Sequence, residues 1–223
     1  MTASRGRLAW LLAGVVATVV AIATAGSTLW YTTAYRQNVH TQEQAASYPG
    51  RPDLVTVQLT DGDITITSGP PGRVEVSRQL AWAGAKPVID EQWNGHALTV
   101  DQNCPTGFAE ICSVDYTIAV PPGVALNLET DSGDIAARRS SAPQVQASSD
   151  SGDVMLSFAA APASVYASSD SGNVTIRVPR GDSYAVHPRA DSGSSYVGFG
   201  QNPASSRSIT AISDAGNITV VYN

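Results

Sequence analysis

The triplet Asp-Ser-Gly can carry acid–base chemistry, because two aspartates on facing loops can share a proton and activate a water. It occurs at Asp131-Ser132-Gly133, Asp150-Ser151-Gly152, Asp170-Ser171-Gly172 and Asp191-Ser192-Gly193, with Asp214-Ala215-Gly216 as a relaxed last copy. A catalytic pair needs two such triplets, each behind an apolar strand. Here Ser149 and Ser169 stand where the apolar residue is wanted. The leading aspartates recur at a step of roughly 20 residues, which is the spacing of a repeated turn, one supersecondary unit stacked on copies of itself. A row of calcium ligands is the second chemistry to weigh, since hard cations take carboxylate oxygens. Asp131, Asp150, Asp170, Asp191 and Asp214 are its candidates, joined by Asp134 and Asp153. The Gly-Gly-x-Gly-x-Asp nonapeptide of calcium β-rolls is absent. The aspartates are therefore expected to cap turns through backbone N–H groups of the same or the next coil, and no cofactor is expected.

Strands must flank those turns. Five residues before each leading Asp stand Leu126, Val145, Val165, Val186 and Ile209, and three before it Leu128, Ala147, Ala167, Pro188 and Ala211. Four after it come Ile135, Val154, Val174, Ser195 and Ile218, then at six Ala137, Leu156, Ile176, Val197 and Val220, and at eight Arg139, Phe158, Val178, Phe199 and Tyr222. Residues two apart share a face of a strand, so each unit reads as strand, tight turn, strand with one apolar face. Gly133, Gly152, Gly172, Gly193 and Gly216 sit in the turns, where a positive φ costs glycine little. An early copy, Val55/Val57, Thr60-Asp61-Gly62-Asp63 and Ile64/Ile66, precedes the rest. Irregular alternations at Val74/Val76, Leu98/Val100 and Val114/Tyr116/Ile118/Val120 lie between, closed by Pro121-Pro122-Gly123. The expected fold is all-β: a single-stranded β-solenoid, a β-helix-like stack of about 20-residue strand-turn-strand repeats with a thin core, or alternatively an elongated, flattened sandwich of stacked hairpins.

Leu8 to Trp30 carries no charge. That stretch is long enough for a transmembrane helix, for which about 20 residues suffice. Arg5 and Arg7 precede it and Trp30 and Tyr31 follow, which places the N-terminus in the cytoplasm and the rest outside the cell. The expected plan is a cytoplasmic N-terminus over 1–7, a signal anchor over 8–30, a polar juxtamembrane stalk over 31–52 and an extracytoplasmic repeat domain over 53–223. Cleavage after Ala25, at Ala23-Thr24-Ala25, is the alternative. In either case the domain is exported, and its two cysteines, Cys104 and Cys112, read as a disulfide. Once Arg5 and Arg7 are set aside, 11 basic residues face 19 acidic ones, a balance of −8. That excludes nucleic acid as a partner.

His40, His96 and His187 are isolated, and no Gly-x-Ser-x-Gly elbow occurs. Arg180-Gly181-Asp182 is a chance integrin-type tripeptide, and the sequons at Asn173 and Asn217 occupy the turn position that Asp fills elsewhere. Trp82 and Trp93 flank Lys86-Pro87-Val88-Ile89-Asp90-Glu91. They are candidates for a sugar-binding face, with packing against the edge of the stack as the competing role.

Taken together, Cys104…Cys112, the run Val114-Asp115-Tyr116-Thr117-Ile118-Ala119-Val120-Pro121 and the Ser-Gly-Asp-Ile/Val repeats resemble the bacterial putative-adhesin family, a β-strand-repeat domain of unknown function, over residues 53–223. The resemblance implies a β-repeat fold, often on a membrane anchor. The functional expectation is a non-enzymatic, membrane-anchored module for adhesion, interaction or envelope sensing, with a protein or cell-wall partner. A cell-wall glycan-binding or glycan-modifying protein is the alternative.

Overall fold

Residues 39–104 and 111–223 are described by a computed structural model. The expected anchor over 8–30 and the cytoplasmic segment 1–7 lie outside them. Among the described residues no helix is long and apolar enough to cross a membrane.

The described chain is all strand and connection. The strands are β1 (His40–Pro49), β2 (Leu54–Asp61), β3 (Ile64–Ser68), β4 (Arg73–Trp82), β5 (Val88–Trp93), β6 (Ala97–Asn103), β7 (Cys112–Val120), β8 (Ala125–Ser132), β9 (Ile135–Ser140), β10 (Gln144–Ser151), β11 (Val154–Phe158), β12 (Ser164–Ser171), β13 (Val174–Val178), β14 (Ala185–Ser192), β15 (Ser195–Val197), β16 (Ser208–Ala215) and β17 (Ile218–Tyr222). They form a nine-stranded sheet, β1-β4-β7-β3-β9-β11-β13-β17-β15, and an eight-stranded sheet, β14-β16-β12-β10-β8-β2-β6-β5. Each repeat gives its first strand to one sheet and its second to the other. Neighbouring coils pair in parallel, so the repeats build a flattened two-sheet solenoid.

The apolar columns align as their spacing requires. Val145 lies between Leu126 and Val165, and Val154 between Ile135 and Val174, all buried between the sheets. Ala147, Ala167 and Ala211 are fully buried, which keeps the core thin. Arg139 departs from its column. A bulge between β9 and β11 places Ser140 opposite Phe158, and Arg139 turns outward at φ 51°. The extra residue spares a guanidinium from burial in an apolar core, which would cost several kcal/mol.

Two features of the stacking order do not follow the chain. The early copy β2–β3 packs directly on β8–β9, with β6–β7 on its other side. The last coil, β16–β17, inserts between β12–β13 and β14–β15. Thus β14 and β15, from the loosest copy, become edge strands. Pro188 cannot donate to a ladder and Ser195 adds little to a core, and both are tolerated at an edge.

Residues 40–49, expected in the polar stalk, instead form β1, paired antiparallel with β4 along its whole length. Opposite residues of such a pair share a face. His40, Gln42, Gln44, Ala46 and Tyr48 therefore lie on the face of Trp82, Leu80, Arg78, Val76 and Val74. The eight-stranded sheet ends at β5, one strand short of β1. The inner face of β1 thus overhangs the edge of the sandwich, and this accounts for its polar residues.

Candidate functional site

The five leading aspartates do not hold the corners. Asp131, Asp150, Asp170, Asp191 and Asp214 are exposed at strand ends, and Asp191 pairs with Arg189 at 3.1 Å. The fourth residue of the phrase does the work. Asp134 N–H donates to Asp63 Oδ1 at 2.8 Å, Asp153 N–H to Asp134 Oδ1 at 2.8 Å, and Asn173 N–H to Asp153 Oδ1 at 2.7 Å. Asn217 N–H then donates to Asn173 Oδ1 at 3.0 Å, and Ser194 N–H to Asn217 Oδ1 at 3.0 Å. Asp115 starts the row by accepting from Asp63 N–H at 3.0 Å. Each side chain caps the next coil rather than its own turn. The Oδ1 atoms of Asp63, Asp134 and Asp153 are engaged in this way, and no three acidic, histidine or cysteine side chains among the described residues are grouped to hold a metal.

The residues before the leading Asp are also structural. Thr130, Ser149, Ser169 and Ser213 are buried, and their hydroxyls donate to the carbonyls of Gly62, Gly133, Gly152 and Gly172 in the adjacent coils at 2.8–3.1 Å. Close approach makes the glycines necessary. A Cβ on Gly152 would lie 2.0 Å from Gly133 O, and one on Gly172 2.2 Å from Gly152 O. The Arg180-Gly181-Asp182 side chains are occupied locally: Asp182 accepts from Arg207 at 3.1 Å, and Arg180 lies over Tyr222. The sequon residues Asn173 and Asn217 belong to the capping row.

Cys104 and Cys112 form a disulfide between the end of β6 and the start of β7. In that coil the disulfide joins the two strands where the repeats carry an Asp-Ser-Gly corner. Trp82 and Trp93 do not make a common face. His40 stacks on Trp82, and Tyr48 packs against Trp93. His40 and Tyr48 stand near opposite ends of β1, about 26 Å apart at strand rise. Lys86 Nζ lies over the Trp82 ring at 5.2 Å, and both tryptophans pack against the core.

The irregular region builds a site that those tryptophans only border. Glu91, on the same phase of β5 as Ile89 and Trp93, points between the sheets and its side chain is 8% exposed. Tyr48 O–H donates to its Oε2 at 2.5 Å, Tyr116 O–H to its Oε1 at 3.0 Å, and Arg78 Nη1–H to the same Oε1. One carboxylate from β5 therefore ties together β1, β4 and β7 of the opposite sheet. Burial, then Glu91, pushes the Tyr48 phenol up to about 12. Burial and then Glu91 also raise Tyr116 well above its ordinary value. Burial alone would lower Arg78, but Glu91 outweighs it and holds the guanidinium charged. Beside this network a cleft of about 370 Å³ opens between β1, β4 and β5, lined by Gln44, Arg78, Leu80, Lys86, Pro87, Ile89 and Glu91. An acidic residue on the inward phase of the Ile89/Glu91/Trp93 alternation was the one sequence signal for it.

Residues 122–221 match the family described as Toastrack DUF4097. Among solved structures, a putative cell adhesion protein from Clostridium sporogenes ATCC 15579 is similar, with 12% identity, a TM-score of 0.58, and coverage of 82% of this chain and 100% of that one. A putative adhesin from Bacteroides fragilis NCTC 9343 aligns at 14% identity and a TM-score of 0.38, covering 82% and 97%. No curated protein matches the chain. With the parallel coils and the Ser-Gly-Asp corners in view, residues 122–221 are similar to the Toastrack DUF4097 family, and the fold is similar to that of the Clostridium sporogenes protein.

Proposed function

We propose that this chain is a non-enzymatic interaction module, held outside the cell by its N-terminal apolar segment, that binds a surface partner through the cleft beside β1. The observation that carries this reading is the polar balance of the cleft. Both oxygens of Glu91 are engaged by Tyr48, Tyr116 and Arg78, which suits a carboxylate that organises a site rather than one that moves a proton. The stacked coils supply a rigid support, and the irregular strands supply the contact. The likeness to a protein described as a putative cell adhesion protein agrees with an adhesive role. A glycan face built on Trp82 is less favoured, because His40 and Lys86 already pack on that ring.

Retention of the tagged exported protein on whole cells and isolated walls tests the reading. Binding that Lys86→Gln reduces supports it, and no retention on either surface overturns it. The N-terminal mass of the exported chain tests the anchor: a chain beginning at Gly26 refutes it.

A further inference from the structure

We infer that the cleft beside β1 takes the carboxylate of a small apolar ligand, such as a short aliphatic acid or the C-terminus of a peptide ending in a small side chain. This rests on the cleft being the binding site proposed above. The hydrogen-bonding inventory carries it.

The acceptors are already engaged. Glu91 Oε1 and Oε2 take three donors, and Gln44 Oε1 accepts from Arg78 Nε–H at 2.8 Å. The groups left are donors. Lys86 Nζ gives one of its three protons to Gln42 Oε1 at 2.7 Å and is held there over Trp82. The Gln44 side-chain amide N–H₂ has no acceptor among the described residues. Lys86 and Arg78 against Glu91 leave the cleft with one net positive charge. The remaining lining is apolar: Leu80 is buried in the floor, Pro87 is buried, and Ile89 is half-buried. A donor-rich, singly positive site over an aliphatic floor fits one carboxylate on a small apolar body. A volume of about 370 Å³ is within the range of small-molecule sites and leaves room for about two small residues.

The test is isothermal titration of the full chain in detergent micelles with butyrate, N-acetyl-alanyl-alanine, and the C-terminal amide of that dipeptide. The dipeptide acid should bind with a dissociation constant on the order of 1 mM, a weak but measurable affinity. The amide should bind about tenfold more weakly, because a charge-assisted pair is lost. Lys86→Gln should weaken the acid several-fold. Lys86 is exposed, so an unchanged melting midpoint confirms that this variant folds, and Asp90→Asn on the outer face of β5 should bind as the parent does. Tighter binding of the dipeptide than of butyrate assigns the site to peptide ends, and equal binding assigns it to free acids. Equal affinity for acid and amide, or no binding of either acid, overturns the inference. Surface retention without carboxylate binding would leave the module reading standing, and the converse would leave the carboxylate site standing.

Discussion

Gly152→Ala should be among the most damaging single-methyl changes in the molecule. The added Cβ would meet Gly133 O at 2.0 Å, whereas a relaxed carbon–oxygen contact is about 3.3 Å. The two coils would have to part by about 1 Å at that corner, from a strand spacing of about 4.8 Å. Four hydrogen bonds cross the gap there. Ser149 Oγ–H donates to Gly133 O at 2.9 Å and Gly133 N–H to Ser151 O at 3.0 Å. Asp153 N–H donates to Asp134 Oδ1 at 2.8 Å and Ile135 N–H to Asp153 O at 2.9 Å. Losing three of them at about 1 kcal/mol each, with some packing loss, gives a destabilisation of about 3–4 kcal/mol. Gly152 has no left-handed φ, so the effect isolates close approach from backbone strain. Gly200→Ala is the control: nothing lies within 4 Å of the Cβ it would gain, and it should change stability by less than about 0.5 kcal/mol. Urea unfolding followed by tryptophan fluorescence measures both. A Gly152→Ala cost below about 1 kcal/mol would refute the claim that coil contact dictates glycine there.

Ser169→Ala removes a buried hydroxyl that donates to Gly152 O at 2.8 Å and should cost about 1 kcal/mol, read as a lowered unfolding midpoint. Glu91→Ala leaves Arg78 and two phenols without their shared acceptor. Since Arg78 keeps 20% side-chain exposure, the loss should be about 2–3 kcal/mol, below that of a fully buried pair. Stability should also fall at high pH. The Tyr48 phenol is raised to about 12 in the fold against about 10 unfolded, so its contribution is intact below pH 10 and disappears as pH rises toward 12. Tyr48→Phe should shallow that alkaline loss in denaturation curves taken across the window. Replacing Cys104 and Cys112 together by serine should cost about 2–3 kcal/mol, the closure entropy of a short loop, and thermal melting with and without reductant checks it.

Much of the scaffold was legible because its signals are local. The period-2 alternation of Leu126/Leu128 and Ile135/Ala137 and its regular return in later coils are properties of one unit repeated, and the pairing register follows them residue for residue. The capping row escapes sequence reasoning because Asp131 and Asp134 are equivalent as residue types. Only the stacking direction reveals that the fourth residue reaches the next coil while the first faces solvent. The strand β1 was hidden for a related reason. Its inner phase carries His40, Gln42 and Gln44, since that face overhangs the sandwich edge and need not be apolar.

An all-β stack of strand-turn-strand repeats, its glycine corners and the disulfide could be read from the residues, because each is encoded within one or two neighbouring segments, whereas the parallel pairing of coils, as against stacked hairpins, came from the structure. The tertiary structure alone decided the order of the coils, with β16–β17 inserted so that Pro188 and Ser195 come to an edge. It also decided the assembly of Tyr48, Arg78, Glu91 and Tyr116 from β1, β4, β5 and β7. Tyr48 and Tyr116 lie far apart in the chain, on β1 and β7, and no local pattern announces a contact that depends on where two sheets end.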